Sequence, residues 1–207
     1  LTTADLAMDK DGKFLALRVN TVANLGAYLS TFGSAVPTIL YATLLAGQYA
    51  TPKIHATVKS VFTNTAPVDA YRGAGRPEAA YLLERFVDHI GRETGLGPAE
   101  IRKRNLVKPN QIPWNTALGD TFDSGDFDTV MLKGMEKADW TGFPARRAAS
   151  LAKGKWRGIG MATYVEKCSG GPPETAVAKF KSADTYARVM VMSDATARET
   201  NILDRGA

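Results

Sequence analysis

The chain has 207 residues, 44% apolar and 23% charged, with a formal net charge of +5, which suits one large or two small soluble domains with a sizeable core. A single cysteine, Cys168, excludes a disulfide framework and any cysteine-built zinc or iron–sulfur site within this chain, and the two histidines, His55 and His89, lack metal-ligand spacing. The basic residues are spread, with short clusters at Arg102-Lys103-Arg104 and in 153–157 that read as solvated surface, so no nucleic-acid face is expected.

Residues 2–8 and 14–23 read as a β-hairpin around the turn Asp9-Lys10-Asp11-Gly12. In the second strand Leu15, Leu17 and Val19 alternate with Ala16, Arg18 and Asn20, which predicts one buried face. Residues 24–33 form a small-residue loop and 35–47 a short buried helix. The apolar run 35–46 contains Pro37 and is too short to span a membrane. No signal peptide is visible, so a cytoplasmic protein is expected. A further strand is expected from Ile54 to Phe62, ending at Asn64-Thr65-Ala66-Pro67.

Next comes Ala70-Tyr71-Arg72-Gly73-Ala74-Gly75-Arg76-Pro77-Glu78. Pro77 suits the first turn of a helix. Ala79, Leu82, Leu83, Phe86, Val87 and Ile90 then share one helical face, and Gly95 or Gly97 ends it. A second short helix is expected over 98–105. A third, over 126–140, carries the stripe Phe127, Val130, Met131, Met135 and Ala138, with Ser124 or Asp126 as its cap. The polar, Ala-rich stretch 141–155 is the best linker, and strands are expected at 158–165, 175–180 and 185–192. The fold class is α+β: a mixed sheet with packed helices. The chain starts at Leu1, directly at a strand, as expected of an internal piece of a longer protein or of a trimmed chain.

The glycine-rich turn lies between a strand and a helix, where free backbone N–H groups and the helix dipole favour an anion, with Arg72 and Arg76 on either side. A plain strand-to-helix turn is the other reading. Glu78 and Glu84 stand near it as acid–base groups or, more simply, as carboxylates serving the helix dipole. Tyr71 reads as a packing residue with its hydroxyl satisfied, His55 and His89 as surface residues, and Cys168 as inert or, less simply, a reactive thiol near the pocket.

The run from Phe62 to Ala79, with Asn64-Thr65-Ala66-Pro67 and Tyr71-Arg72-Gly73-Ala74-Gly75-Arg76-Pro77-Glu78 within it, resembles the signature of the molybdenum hydroxylase large subunit. That is the family of xanthine dehydrogenase and the aerobic carbon monoxide dehydrogenase large chain. Asn24-Leu25-Gly26-Ala27-Tyr28, Glu100-Ile101-Arg102-Lys103-Arg104-Asn105, Phe122-Asp123-Ser124-Gly125-Asp126, Trp156-Arg157-Gly158-Ile159-Gly160 and Gly170-Gly171-Pro172-Pro173-Glu174 follow the same family order.

The resemblance covers about residues 1–180 and implies a subunit that binds a molybdenum–pyranopterin cofactor, in bacteria often as the cytosine dinucleotide. It implies hydroxylation of a carbon centre, or oxidation of carbon monoxide, with water-derived oxygen. It also implies a small-molecule substrate, and iron–sulfur and FAD subunits or domains that carry electrons away. Tyr71, Arg72, Gly73, Ala74 and Gly75 would then contact the cofactor, and Ala74 and Gly75 the substrate pocket. Copper-containing members carry Cys at the position of Gly73, and xanthine dehydrogenases an aromatic residue at that of Ala74. Gly73 therefore implies chemistry without copper, and Ala74 a wider pocket.

The implied layout is a partial first cofactor-binding domain over 1–145, a linker over 146–155, and the start of a second domain over 156–207. The family's glutamate base and upstream glycine-rich loop are missing from these residues. Where a Gly-Gln-Gly turn is expected, Asp194-Ala195-Thr196-Ala197-Arg198-Glu199-Thr200 stands instead. Hence the chain alone is expected to be an inactive piece, with cofactor bound only in the full-length subunit.

Overall fold

Asp9 turns the chain with its own carboxylate: Oδ1 accepts from the N–H groups of Asp11 and Lys13, both at 2.9 Å. Strands β1 (Thr2–Met8) and β2 (Phe14–Asn24) are thereby paired antiparallel. Ala7 faces Ala16, but Met8 faces Phe14, so Leu15 is the extra residue of a β-bulge. The bulge resets the alternation. Phe14, Leu17 and Val19 are buried and Leu15 is exposed, against the expectation of a buried Leu15.

Strand β3 (Ile54–Val61) lies parallel to β2, with Leu17 opposite Ile54 and Asn24 opposite Val61, giving a mixed sheet in the order β1-β2-β3. A parallel pair needs a crossover. Here it contains a wide helical turn at Val36–Leu40 and a tight one at Thr43–Ala46 rather than one regular helix. Leu45 and Tyr41 from this crossover pack with Leu17 and Val19 of the sheet.

The computed structural model describes residues 1–165, which form one compact α+β unit. Helix α1 (Arg76–Glu93) runs through two apolar clusters, burying Ala79 and Leu83 in one and Val87 and Ile90 in the other. Full burial of each larger aliphatic side chain stabilises by about 1.5–3 kcal/mol. Helix α2 (Gly97–Asn105) packs on α1 and fills the second cluster with Ile101, beside Phe14, Tyr49, Leu106 and Met131. Asn105 ties α2 to the hairpin turn. Its Oδ1 accepts from Phe14 N–H at 2.8 Å, and its amide donates to Gly12 C=O at 2.8 Å.

Beyond α2, a two-residue ladder joins β4 (Trp114–Asn115) to β5 (Thr121–Phe122). Asp126 caps helix α3 (Phe127–Lys137), accepting from Thr129 N–H at 3.1 Å and from its hydroxyl at 2.6 Å. Of the expected stripe, Met131 is buried whereas Val130 is exposed. The stretch read as a linker carries a helix, α4 (Phe143–Leu151), which buries none of its residues.

Residues 158–165 form no strand; Met161 C=O, Thr163 N–H and Tyr164 C=O bond to side chains rather than to a neighbouring strand. The strands expected at 175–180 and 185–192, and Cys168, lie outside the described residues. Among those described, no helix is long and apolar enough to cross a membrane.

Candidate functional site

Two loops prepare the approach to the glycine-rich turn. Residues 24–33 and 63–68 run side by side: Ala27 N–H donates to Thr65 C=O at 3.0 Å, Thr63 N–H to Gly26 C=O at 2.9 Å, and Val68 N–H to Leu25 C=O at 3.2 Å. The Ser30 hydroxyl closes the pair by donating to Val68 C=O at 2.8 Å. Asn24 Oδ1 accepts from Gly26 N–H and the Thr63 hydroxyl. The chain that leaves β3 is therefore fixed up to Val68, two residues before the turn begins.

The turn itself is two successive tight bends. Ala74 N–H donates to Tyr71 C=O at 2.8 Å and Arg76 N–H to Gly73 C=O at 2.9 Å. Gly73 has φ 85° and Gly75 φ 86°, conformations that cost an L-residue about 1–2 kcal/mol. The two glycines face different surroundings. A Cβ on Gly75 would meet the Leu40 carbonyl carbon at 2.6 Å and Tyr41 N at 2.8 Å, so the crossover backbone presses on it. A Cβ on Gly73 would find nothing nearer than Pro77 at 3.8 Å, so one side of that peptide is bare. Gly73 N–H has no acceptor among the described residues.

The other residues of this segment divide clearly. Tyr71 is 83% exposed, so it is not the packing residue expected from sequence; the bend turns its ring away from the core. Arg72 is exposed, Ala74 half-buried and Gly75 buried. Arg76 opens α1, and its guanidinium donates to Ala74 C=O at 3.2 Å, bracing the turn from inside. Glu78 lies in the first turn of α1, where a carboxylate favours the dipole. His55 and His89 are exposed, and no group of metal-ligating side chains exists among the described residues.

Glu84 serves neither the dipole nor an open acid–base site. It is buried in the middle of α1 and faces Arg102 of α2, whose side chain is 0% exposed. Arg102 Nε donates to Glu84 Oε2 at 2.9 Å, and its Nη1 donates to Asp88 Oδ1 at 2.7 Å and Pro98 C=O at 2.8 Å. The Tyr49 hydroxyl donates to Glu84 Oε1 at 2.5 Å. Burial, with the Glu84 charge beside it, pushes the Tyr49 phenol far above its ordinary range.

Sequence reading missed this network, since Arg102 stood in a basic triplet taken for solvated surface. Helical spacing held the signal: Arg102 lies between Ile101 and Asn105 on the face that meets α1.

Residues 1–106 match the family model described as molybdopterin cofactor-binding domain. The carbon monoxide dehydrogenase large chain of Hydrogenophaga pseudoflava is 39% identical over 176 residues, covering 81% of this chain and 22% of that protein. The gamma subunit of the 6-hydroxypseudooxynicotine dehydrogenase complex of Paenarthrobacter nicotinovorans is 33% identical over 178 residues, covering 83% and 22% respectively. Among solved structures, a Cu,Mo-CO dehydrogenase in its carbon monoxide reduced state superposes with a TM-score of 0.71 at 29% identity, over 84% of this chain and 23% of that one. Quinoline 2-oxidoreductase from Pseudomonas putida 86 gives 0.68 at 32% identity, over 74% and 20%.

The chain thus spans between a fifth and a quarter of the length of these relatives. With the α+β fold, the ordered family segments and the domain match in agreement, the chain belongs to the molybdopterin cofactor-binding family of carbon monoxide dehydrogenase and xanthine dehydrogenase type large subunits.

Proposed function

We propose that this chain forms part of the cofactor-binding subunit of an oxidoreductase that hydroxylates a carbon centre with water-derived oxygen. The carrying observation is the bare peptide face at Gly73, at the head of α1, where an anionic group can approach the backbone. Gly73 N–H and the turn from Tyr71 to Gly75 form the contact surface, Arg72 adds positive charge, and Ala74 and Gly75 wall the substrate side. The residues present fit a pterin-bound oxyanion centre, because the face a Cβ would fill at Gly73 is open. Once bound, the molybdenum–pyranopterin group, in our reading its cytosine dinucleotide form, supplies the two-electron chemistry and the oxygen transfer. These residues orient it and hold its negative charge.

Glycine at 73 offers no thiol to a second metal, so copper is not part of this reading. Alanine at 74 cannot stack on a ring, so a wider pocket and a substrate unlike a purine are proposed. Glu84 is fully engaged with Arg102 and is not the base. The base, and further cofactor contacts, are proposed to come from other parts of a longer subunit. In this reading residues 1–145 belong to a first cofactor-binding domain, 146–155 link, and 156–207 begin a second. Iron–sulfur and FAD subunits accept the electrons in the cytoplasm, and the chain alone is inactive.

The test is molybdenum content and hydrogen exchange in the chain assembled with the rest of its subunit. Cofactor loading is expected to slow amide exchange at 71–75, and Gly73→Ala to lower bound molybdenum at least tenfold with the helical signal intact. Unchanged exchange and full molybdenum in Gly73→Ala would overturn the proposal.

A further inference from the structure

Residues 161–164 lie along α1 and α2 without joining a sheet, and the core holds them by its side chains. Thr163 N–H donates to Glu84 Oε2 at 2.7 Å. Met161 C=O accepts from Arg102 Nη2 at 3.2 Å, and Tyr164 C=O from Gln48 Nε2 at 2.8 Å. The Thr163 and Tyr49 hydroxyls stand 3.3 Å apart. Apolar anchoring is slight by comparison. Met161 packs against a core cluster, whereas Ala162 and Tyr164 are exposed. Residues 163–165 also form one wall of a small cleft, with room for about one water, whose other walls include Arg76, Ala79, Ala80 and Leu83 of α1.

We propose that residues 161–164 are a strap that undocks as a unit, opening this cleft beside Arg76, and that Glu84 is the positioning residue that sets where the strap lies. The chemistry favours separate undocking. When the strap leaves, Glu84 keeps Arg102 and Tyr49, and Arg102 keeps Glu84 and Asp88. No buried charge is stranded, and little apolar surface is exposed. Opening α1 or β2 instead disrupts both apolar clusters. Segments with few buried apolar contacts open below the global unfolding free energy. This inference stands apart from the cofactor reading, since it concerns the chain without ligand.

Native-state hydrogen exchange on the full chain, read by mass spectrometry or NMR, tests it. In the wild type, the Thr163 amide, the one strap N–H with an acceptor among the described residues, is expected to exchange at least tenfold faster than the amides of β2 and α1. Thr163→Pro removes the donor to Glu84 from outside the core. It is expected to change exchange in β2 and α1 less than threefold. Glu84→Gln is expected to speed the strap more than the core. Should that variant fail to fold, Thr163→Pro decides alone. The Thr163 amide and the core exchanging in step in the wild type, or Thr163→Pro speeding β2 and α1 more than threefold, would overturn the proposal.

Discussion

Replacing Gly75 and Gly73 by alanine, one at a time, separates backbone conformation from backbone contact. Both residues have nearly the same φ, 86° and 85°, so the conformational cost of an L side chain is common to both, about 1–2 kcal/mol. Only at Gly75 does the new methyl strike something: the Leu40 carbonyl carbon and Cβ at 2.6 Å and Tyr41 N at 2.8 Å. These atoms belong to the crossover whose Tyr41 and Leu45 complete the apolar cluster under the sheet, so they yield only by moving it. Overpacking of this kind costs typically about 1–3 kcal/mol more.

The expected losses are therefore about 1–2 kcal/mol for Gly73→Ala and about 2–5 kcal/mol for Gly75→Ala. At roughly 2–4 °C per kcal/mol for a chain of this size, the two melting temperatures should differ by several degrees. Urea titration followed by circular dichroism measures both on the chain itself, without cofactor. Equal losses, within about 0.5 kcal/mol, would refute the claim that the crossover backbone presses on Gly75, since only conformational cost would remain.

Asn105→Ala should leave Phe14 N–H and Gly12 C=O without their partner, at about 1–3 kcal/mol for each buried group left unmade. Denaturant titration showing less than about 1 kcal/mol would mean that water replaces the side chain. At the head of α3, the Thr129 hydroxyl and then its N–H hold the Asp126 carboxyl below the usual carboxylate range. With the folded pKa depressed, this contribution is present above the ordinary carboxylate pKa of about 4 and is lost as pH falls through the folded value. Thermal melts of wild type and Asp126→Ala from neutral to strongly acidic pH should converge toward the acid end; a gap constant across pH would contradict the ionic cap.

The hairpin was legible from its turn residues, and β3, α1 and α3 from the period each writes into the chain. Ala79, Leu83, Val87 and Ile90 sit at helical spacing and all four are buried. Leu15 misled because a bulge shifts alternation by one residue, and a bulge depends on the partner strand. Arg102 and Glu84 misled for a related reason. Arg102 looks solvated, and Glu84 looks like a carboxylate serving the helix dipole, until α2 lies on α1 and makes one the neutraliser of the other. Residues 158–165 had strand-like composition, yet the partners of Met161 C=O, Thr163 N–H and Tyr164 C=O are side chains supplied from residues 102, 84 and 48. Within the candidate site, the segment was visible from its glycines and family order. The distinction between a crowded Gly75 and a bare Gly73 required the crossover's position.

The parallel pairing of β2 with β3 has a kinetic consequence. A hairpin such as β1–β2 closes locally, on the order of 1–10 μs for isolated examples. The parallel pair must first bring Ile54 back to Leu17 around the whole crossover, and non-local closure of that kind is slow. The turn at 71–75 follows β3 and leans on the same crossover through Gly75. Its shape should therefore mature late, after the sheet has closed, and a ligand that needs the finished turn would meet a chain already folded rather than help to fold it.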